Sequence, residues 1–339
     1  MKKDVTIYDI AKALGISTST VSRALSNSYN ISNKTKTRVF ACANRLGYRH
    51  NPFASNLRKG STNTIGVIVH RLDSMFVSSL LSGTESTAAS RGYNLLIVQS
   101  FEDVDREIAN AKMMLEKRVD GLMVAVARNS ESIEHFKPFF NFNIPVAFLD
   151  RIAPEPNLPT YTIDNYAAAR KMAEHLAQQG CKNIIHATID SCNLVYKDRI
   201  RGFDDALNSL GIEHQTIYID NIDFESGKNL AIEMYHNKTL PDGIFFSNDM
   251  SATGFIIGLQ EMGVNVPNDI AVAGFNNDIS SRIVNPSLTT INYPASDLGS
   301  IAVNHIIDHI RGINDLNVTE QVVLKSDLII RDSTIRKTI

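Results

Sequence analysis

The feature that most constrains the fold is an alternation of short apolar runs with amphipathic stretches, which begins at Thr64 and continues through the rest of the chain. Short apolar runs bounded by polar residues predict buried strands, and apolar residues at helical spacing predict helices between them. Repeated alternation of strand and helix predicts parallel sheets that helices cover on both faces. The predicted strands are 64–69, 94–98, 121–127, 145–150, 183–189, 217–220, 243–247, 270–275 and a further pattern at 321–331, and the predicted helices are 76–91, 105–117, 165–179, 199–210, 226–236 and 250–262.

Two proline-containing segments, at 154–159 and 285–294, interrupt this alternation. A chain that forms two lobes and crosses between them at these breaks is the simplest arrangement that fits the pattern. We therefore predict an α/β body of two doubly wound parallel-sheet lobes. The predicted N-terminal lobe comprises 62–162 and 293–322, and the predicted C-terminal lobe comprises 163–292 and 323–339.

The first 50 residues predict a small all-α domain of three short helices, each preceded by a hydroxyl residue that can cap it. Glycines follow the first and third helices and favour their termination. Residues 51–61 are polar, basic and too few to form a core, so we interpret them as a linker. The predicted caps are Thr6, Ser17 and Ser32, the first two helices span 7–14 and 18–25, and the glycines are Gly15 and Gly47.

Charge separates the same two parts of the chain. Residues 1–60 carry eleven Lys and Arg against Asp4 and Asp9, a net charge of +9, whereas the remainder carries 23 basic and 34 acidic residues. A basic head on an acidic body indicates that a polyanion such as DNA contacts only the head.

Composition excludes several other classes of protein. The three cysteines show no metal-ligand spacing and fit buried thiols in a reducing cytoplasm better than a disulfide framework. No segment approaches the roughly 20 apolar residues that a membrane-spanning helix needs. We expect a cytoplasmic protein with no membrane partner, no metal and no cofactor.

The head contains a helix-turn-helix pattern. Ala11 is small where two helices would cross, Gly15 permits the turn, and Ile10, Ile16 and Val21 would hold the helices together. The second helix begins with short polar or basic side chains and no acids, which suits entry into the major groove of DNA. These side chains are Thr18, Ser19, Thr20, Ser22 and Arg23.

Specific segments of both parts resemble the lac repressor / galactose repressor family. The head carries Val-Thr-Ile-Tyr-Asp-Ile-Ala at 5–11, Ser-Thr-Val-Ser-Arg-Ala-Leu at 19–25, Gly-Tyr at 47–48 and Asn-Pro at 51–52. The body carries Thr-Ile-Gly-Val at 64–67, Asp-Gly-Leu at 120–122, Arg199 with Phe203, Ser-Asn-Asp at 247–249, Gly-Phe at 274–275 and Leu-Thr-Thr-Ile at 288–291. The resemblance covers the whole chain and implies a body with two lobes of the periplasmic-binding-protein type.

The resemblance also implies roles for residues of the three-helix domain of the head, 1–50, and of the hinge, 51–61. Thr18, Ser19 and Arg23 match positions that read bases, and the short side chains of the first two leave Arg23 as the main candidate for direct readout. In this family the linker folds on DNA as a hinge helix whose leucine enters the minor groove, and here that leucine is Leu57, with Ala54 one turn earlier. The matching phosphate contacts are Thr6, Ser22, Asn30, Ser32 and Thr35, and Tyr48 and Asn51 lie at the junction with the hinge.

Polar residues at predicted strand ends indicate a ligand site between the lobes, where open α/β sheets bind ligands. The predicted ligand contacts are Asp150, Arg199 at the start of a helix, Asn248 and Asn276, with Phe76 as an apolar face. An Asp, an Arg and two Asn suit the hydroxyls of a sugar. Taken singly, polar residues at strand ends also have a simpler interpretation as helix caps. Asp249 and Asn277 could each cap a helix, and Asp164 is expected to cap the helix at 165–179.

One residue departs from the family pattern. The family usually has Asp after Gly-Phe or Gly-Tyr, whereas this chain has Asn276. An amide offers a donor as well as an acceptor, so the ligand there can present an acceptor oxygen. A neutral sugar is the first expectation, and a sugar acid, a sugar phosphate or a purine remains open.

These inferences predict a ligand-controlled transcription regulator, a repressor in the first instance with activation as the alternative. The family acts as a homodimer, so a pseudo-palindromic duplex operator is expected. Whether the effector releases the protein from DNA or loads it onto DNA is left open.

Two other classes of protein fit the sequence less well. A two-lobed solute-binding protein shares the body, but the basic head and the lack of a signal-like apolar segment argue against it. An enzyme is disfavoured because the chain has no GxxxxGK[ST], HExxH or GxSxG motif, and its nine histidines do not cluster at metal-ligand spacing.

Overall fold

The computed structural model describes residues 5–48, 61–151, 158–316 and 321–336. The chain divides into two compact units between Thr62 and Asn63, which are described separately. The division falls at the end of the segment predicted as a linker, most of which lies outside the described residues.

Three helices form the described part of the first unit, residues 5–48, and their bounds confirm the prediction. Gly15 follows the first helix with a φ of 64°, a left-handed conformation that glycine adopts without strain. Ile10, Val21 and Val39, one from each helix, are fully buried in a shared core. The helices are α1 (Ile7–Leu14), α2 (Thr18–Leu25) and α3 (Asn33–Leu46).

Within its described residues the second unit contains two six-stranded sheets, as the alternation of strands and helices predicts. The N-terminal sheet has the order β11-β5-β4-β3-β1-β2, and the C-terminal sheet has the order β12-β10-β9-β8-β6-β7. All pairings are parallel except β10 with β12. The strands are β1 (Thr64–Val69), β2 (Asn94–Gln99), β3 (Gly121–Val124), β4 (Val146–Leu149), β5 (Thr160–Ile163), β6 (Asn183–Thr188), β7 (Glu213–Tyr218), β8 (Gly243–Phe246), β9 (Ala271–Asn276), β10 (Thr289–Asn292), β11 (Gln321–Leu324) and β12 (Asp327–Ile329).

Helices cover both faces of each sheet, so every residue of the central strands β3, β4 and β8 is buried. The covering helices are α4 (Met75–Ser90), α5 (Val104–Glu116), α6 (Lys137–Asn141), α7 (Asn165–Gln178), α8 (Leu194–Leu210), α9 (Phe224–Asn237), α10 (Asp249–Glu261), α11 (Ser280–Ile283) and α12 (Ala295–Ile310).

Several elements differ from the sequence-based expectation. The strand expected at 217–220 is β7, which begins at Glu213. Strands β5 and β10 and helices α6, α11 and α12 were not predicted. The single strand pattern expected at 321–331 is two strands, β11 and β12, which lie in different sheets. Strands β5 and β10 are rich in threonine and look polar in sequence, yet Thr160, Thr162 and Thr289 are buried because β5 and β10 lie inside their sheets.

The chain crosses between the two lobes three times. Strand β5 ends the first N-lobe segment at Ile163, and β10 ends the C-lobe segment at Asn292. The third crossing lies between Leu324 and Asp327, because all of β11 pairs with β5 and β12 pairs with β10. The boundary between the last N-lobe segment and the last C-lobe segment, expected at 322/323, therefore falls inside β11 and must move a few residues toward the C-terminus.

Glycines permit close packing between neighbouring helices of the body. A methyl group on Gly83 of α4 would overlap the backbone oxygen of Ser296 in α12, and one on Gly299 of α12 would overlap that of Leu80. These two helices therefore pack backbone against backbone, which fixes α4, and Phe76 within it, against α12.

We predict that Gly83→Ala destabilises the protein although alanine is the better helix former. The overlap with Ser296 should cost about 1–3 kcal/mol, against a gain in helix propensity of up to ~1 kcal/mol. Urea unfolding of the purified protein measures the difference. Ser79→Ala, at an exposed position of the same helix, should change the free energy of unfolding by less than ~0.5 kcal/mol. Equal stability of Gly83→Ala and wild type would contradict the close contact.

Candidate DNA-binding and ligand-binding sites

Helix α2 presents its polar face away from the core of the first unit. Val21 and Ala24 are fully buried, whereas Ser19 and Arg23 are exposed. Thr18, Thr20 and Ser22 are partly buried beside them. The helix thus buries one apolar side and exposes a face of hydroxyls and one guanidinium group, which is the arrangement that a groove-reading helix requires.

Two of the hydroxyl groups predicted to contact DNA also stabilise the start of α2. The Ser17 hydroxyl accepts the backbone N–H of Thr20 at 3.1 Å and lies 2.8 Å from the hydroxyls of Ser19 and Thr20. Arg23, by contrast, has no side-chain hydrogen bond or ion pair with any residue that the structure describes. Its guanidinium group is available for an external partner.

The remaining predicted contacts of the first unit lie at helix starts and in turns. The Asp9 carboxylate accepts the backbone N–H and the hydroxyl of Thr6, at 2.8 and 2.7 Å. Ser32 caps α3 by accepting the backbone N–H of Thr35 at 3.3 Å. Asn30 is exposed, and Tyr48 packs against the core of the unit. Asn51, Ala54 and Leu57 lie outside the described residues.

A cleft of about 410 Å³ lies between the two lobes of the body, at the carboxyl ends of their strands. All five predicted ligand-binding residues line this cleft. Phe76, at the start of α4, contacts the ring of Tyr293 edge-on at 4.8 Å between ring centroids. The other four are Asp150, Arg199, Asn248 and Asn276.

Asp150 lies directly after β4 in the N-lobe wall, with a φ of 56° and only 7% of its surface exposed. The hydroxyl of Tyr293 hydrogen-bonds to its carboxyl group. The Oδ1 atom has no partner among the described residues. Burial raises the pKa of Asp150, although the nearby Arg199 and Arg151 oppose this effect.

Arg151 joins the two lobes beside Asp150. One of its terminal nitrogens donates to both oxygens of Glu102 at 2.7 Å, and the other donates to the hydroxyl of Tyr196, in α8 of the C-lobe, at 3.0 Å. Burial alone lowers the pKa of Arg151, but the Tyr196 hydroxyl and the Glu102 carboxylate raise it above its ordinary value. Arg151 therefore remains charged.

His70, the residue after β1, is 6% exposed and also lines the cleft. Its Nδ1 atom has no hydrogen-bond partner within the described part of the chain. Burial, followed by the charge of Arg151, lowers the pKa of His70 to about 3, so its imidazole is neutral at physiological pH.

Arg199 reaches the cleft differently from the prediction. It was expected to begin a helix, but α8 begins at Leu194, so Arg199 lies in the second turn. Its Nε donates to Asn165 Oδ1 at 2.9 Å, and a terminal nitrogen donates to the backbone oxygen of Ser247 at 2.9 Å. Its guanidinium carbon lies 3.6 Å from the centroid of the Phe275 ring, which orients the group in the C-lobe wall.

Asn248 has a structural task as well as a place in the cleft. It is the N-cap of α10, where its Oδ1 accepts the backbone N–H of Ser251 at 3.0 Å. Its amide nitrogen donates to the backbone oxygen of Ile222 at 2.7 Å. The cap considered for Asp249 thus belongs to Asn248. Asp164 caps α7 as predicted, through the N–H of Ala167 at 2.8 Å.

Asn276 ends β9 with a φ of 110° and hydrogen-bonds to the carboxylate of Asp278. Burial raises the pKa of Asp278 to about 6. A carboxylate is therefore present in this wall, two residues beyond the position where the family pattern has one. Asn277 does not cap a helix, because its side chain bonds to Arg331 and Asn292.

A second set of contacts joins the lobes through the loops that follow β3 and β6. The backbone oxygen of Arg128 accepts the Ser191 hydroxyl at 3.1 Å and the Cys192 thiol at 3.2 Å. The Arg128 side chain donates to the backbone oxygen of Asp220 at 3.1 Å. These contacts and the Arg151–Tyr196 bond connect the two lobes.

The sequence-based prediction missed His70, Glu102 and Arg151. His70 directly follows a predicted strand, so the strand-end rule that selected Asp150 would have found it. Arg151 adjoins Asp150, but nothing in the sequence pairs it with Glu102.

No three potential metal ligands cluster within the described residues, and no helix there is long and apolar enough to cross a membrane.

Two family models match the chain. The model of bacterial regulatory proteins, lacI family, matches residues 6–51. The model of periplasmic binding proteins and the sugar binding domain of the LacI family matches residues 62–332.

Curated relatives and solved structures agree with these matches. Catabolite control protein A of Priestia megaterium is 32% identical over 304 residues, which cover 88% of this chain and 91% of the relative. The transcriptional repressor CytR of Escherichia coli K12 is 31% identical over 335 residues, which cover 97% of this chain and 96% of CytR. A crystal structure of the lac repressor dimer, bound to operator and the anti-inducer ONPF, matches with a TM-score of 0.88 and 25% sequence identity. The match covers 98% of this chain and 100% of the lac repressor chain.

We predict that His70→Asn reduces the loss of stability in acid. In the wild type, the unfolded chain takes up a proton at His70 below about pH 6.5, whereas the folded protein does so only near pH 3. The stability that neutral His70 contributes is complete above pH 6.5 and is lost as the pH falls, by up to ~1.4 kcal/mol per pH unit. Urea unfolding at pH 6, 5 and 4 should give a shallower decline for His70→Asn. His236→Asn, at an exposed site, is the control, and parallel curves for wild type and His70→Asn would refute the prediction.

Proposed function

From its membership of the lacI family of bacterial regulatory proteins, we propose that the chain is a dimeric repressor controlled by a sugar or sugar derivative. Members of this family are DNA-binding transcription regulators with a ligand-binding domain. The observation that carries the proposal is the presence, in one chain, of an exposed polar helix α2 and a cleft whose buried polar atoms include some without a hydrogen-bond partner among the described residues. One suits DNA and the other suits a small polar ligand.

The DNA-binding part of the proposal assigns base reading to α2. Arg23 combines exposure, charge and a lack of partners among the described residues, so it can form a bidentate contact with a guanine. Thr18 and Ser19 would contact bases at short range. Thr20 and the phosphate contacts proposed from the resemblance would set the position of α2 on the duplex.

The ligand-binding part assigns the effector to the cleft between the lobes. The lac repressor structure contains the anti-inducer ONPF together with operator, and the same fold here has a cleft of about 410 Å³, within the range of small-molecule sites. Asp150, Arg199 and Asn276 provide acceptor and donor groups, and Phe76 provides an apolar face. Asn248 contributes mainly by positioning α10.

We propose that the contacts across the cleft couple effector binding to DNA binding. An effector that bonds to both lobes favours the arrangement in which Arg151 meets Tyr196 and the Arg128 oxygen meets Ser191. If that arrangement changes the affinity of the dimer for operator, DNA must change the affinity for effector by the same factor. A protein with this task acts in the cytoplasm, where the chromosome lies.

Selection of random duplex DNA with the purified full-length protein tests the proposal. We expect enrichment of a pseudo-palindromic site, and a change in its affinity of at least fivefold with one member of a panel of sugars, sugar derivatives and purines. The direction of that change identifies an inducer or a co-repressor. No enriched site under any condition would contradict the regulator, and enrichment that ignores the whole panel would contradict the sensor.

We predict that Arg23→Ala removes sequence discrimination. Loss of a bidentate base contact should weaken operator binding by about 1–3 kcal/mol while random DNA loses much less. Titration of operator and scrambled duplexes at a fixed salt concentration measures both. Arg38→Ala, which removes an exposed arginine of α3, should weaken both duplexes by similar factors. If Arg23→Ala also weakens both equally, Arg23 contacts phosphate.

A further inference from the structure

Three consecutive C-lobe side chains donate to the N-lobe loop that follows β3. The Ser191 hydroxyl and the Cys192 thiol donate to the backbone oxygen of Arg128, at 3.1 and 3.2 Å. The amide nitrogen of Asn193 donates to the backbone oxygens of Ala127 and Arg128, at 3.4 and 3.5 Å. These two bonds are longer than a usual N–H···O bond, although Asn193 is fully buried. Asn193 therefore bridges the lobes through two weak bonds.

Asn193 is also the N-cap of α8, but its side chain does not cap the helix. Its backbone has the extended conformation of an N-cap, with φ −65° and ψ 134°, yet its side chain accepts no N–H of the first turn. Asn248, the N-cap of α10, shows the usual arrangement, because its Oδ1 accepts the N–H of Ser251 at 3.0 Å. The Oδ1 atom of Asn193 has no hydrogen-bond partner among the residues that the structure describes. A buried acceptor is thus left beside N–H groups that a capping side chain normally satisfies.

The surrounding oxygens fix the orientation of the Asn193 amide. Both atoms that face its nitrogen are carbonyl oxygens, so exchanging Oδ1 and Nδ2 would bring three acceptors together. Two N-lobe carboxylates hold the loop that carries these oxygens. Glu107, which is fully buried, accepts the N–H of Ala127 at 2.6 Å, and Glu102 accepts the N–H of Arg128 at 2.9 Å. The acceptor oxygens therefore belong to the N-lobe and move with it.

Separation of the lobes removes both acceptors from the Asn193 amide. Rotation of the side chain then brings Oδ1 to the N–H of Val195 or Tyr196, the second and third residues of α8, which are the positions that an N-cap asparagine serves. The backbone already has the N-cap conformation, so no other rearrangement is required. A cap gained in α8 thus offsets the two bonds lost between the lobes.

We propose that Asn193 is a two-position switch: its amide bridges the lobes in the arrangement described here, and its side-chain oxygen caps α8 when the lobes separate. The exchange of partners lowers the free-energy difference between the two arrangements, so that both are populated and a ligand can select between them. It also connects lobe separation with the first two turns of α8, which carry Tyr196 and Arg199. The inference depends neither on the proposed repressor activity nor on the identity of the effector.

Amide hydrogen exchange of the full-length protein without ligand tests the switch. Exchange at 125–130 reports exposure of the N-lobe loop, and exchange at 195–196 reports capping of α8; mass spectrometry with fragmentation resolves both. Arg128→Ala combined with Cys192→Ala removes two side-chain links between the lobes and leaves Asn193 intact. In this double variant we expect exchange roughly threefold faster or more at 125–130, and roughly threefold slower or more at 195–196, because Asn193 then caps the helix.

Substitutions of Asn193 itself distinguish a switch from a fixed bridge. Asn193→Asp and Asn193→Ser keep a capping oxygen but lose the bridge, because a carboxylate cannot donate and a serine hydroxyl is shorter than an amide that already reaches only to 3.4 Å. Both should speed exchange at 125–130 and slow it at 195–196. Asn193→Ala should speed exchange at 125–130 without slowing it at 195–196. Added to the double variant, Asn193→Ala should abolish the slowing there.

Asp164→Ala is the control for an ordinary cap. Asp164 is exposed and caps α7 through the N–H of Ala167, so its loss should speed exchange in the first turn of α7 and leave 125–130 unchanged. Unfolding midpoints show that each variant is folded, and the aspartate and serine variants provide the test if Asn193→Ala does not fold.

Two results overturn the inference. One is equal exchange at 195–196 in Asn193→Asp, Asn193→Ser and the wild type, because Oδ1 would then have no cap to form. The other is unchanged exchange at 125–130 in the double variant and in every Asn193 variant, because the bridge would then contribute nothing to the arrangement of the lobes. Either result leaves the proposed repressor intact, since operator selection tests that function separately.

Discussion

The ion pair between Glu102 and Arg151 fixes the shape of the cleft, because its two residues follow different strands and each has a further partner. Glu102 accepts the backbone N–H of Arg128 at 2.9 Å, and Arg151 donates to Tyr196 of the opposite lobe. Loss of one member of a fully buried pair costs about 3–5 kcal/mol, and less is expected here because 22% of the Glu102 side chain is exposed. The pair thus links three N-lobe loops to α8.

Backbone strain concentrates where these loops leave their strands. Phe101, Glu102 and Asp150 have φ values of 57°, 63° and 56°, and Asn276 and Asn277 follow the same trend at the end of β9. Each such residue costs about 1–3 kcal/mol unless its side chain is a tolerant Asn or Asp. The buried strands and closely packed helices offset this cost, so a regular fold carries irregular loops at the cleft.

The sequence predicted the head and the lobes well for different physical reasons. The ends of α1, α2 and α3 depend on local caps such as Ser17, which a sequence displays directly. The strand-end rule placed Asp150 and Asn276 in the cleft wall, whereas the pairing of Glu102 with Arg151 depends on the order of β2, β1, β3 and β4 in the sheet. Threonine-rich β5 and β10 were missed because burial by neighbouring strands overrides the polarity of their residues.

Bonding capacity differs between the two walls of the cleft, and this difference bears on how a ligand closes it. The C-lobe groups already have partners: Arg199 bonds to Asn165, Asn248 to Ser251, and Asn276 to Asp278. In the N-lobe wall, Asp150 Oδ1 and Arg151 Nε lack partners among the described residues. A ligand therefore gains most by satisfying the N-lobe atoms and then meets C-lobe groups that are already oriented. Little reorganisation is needed, so the energy of those first bonds remains available to bias the arrangement of the lobes.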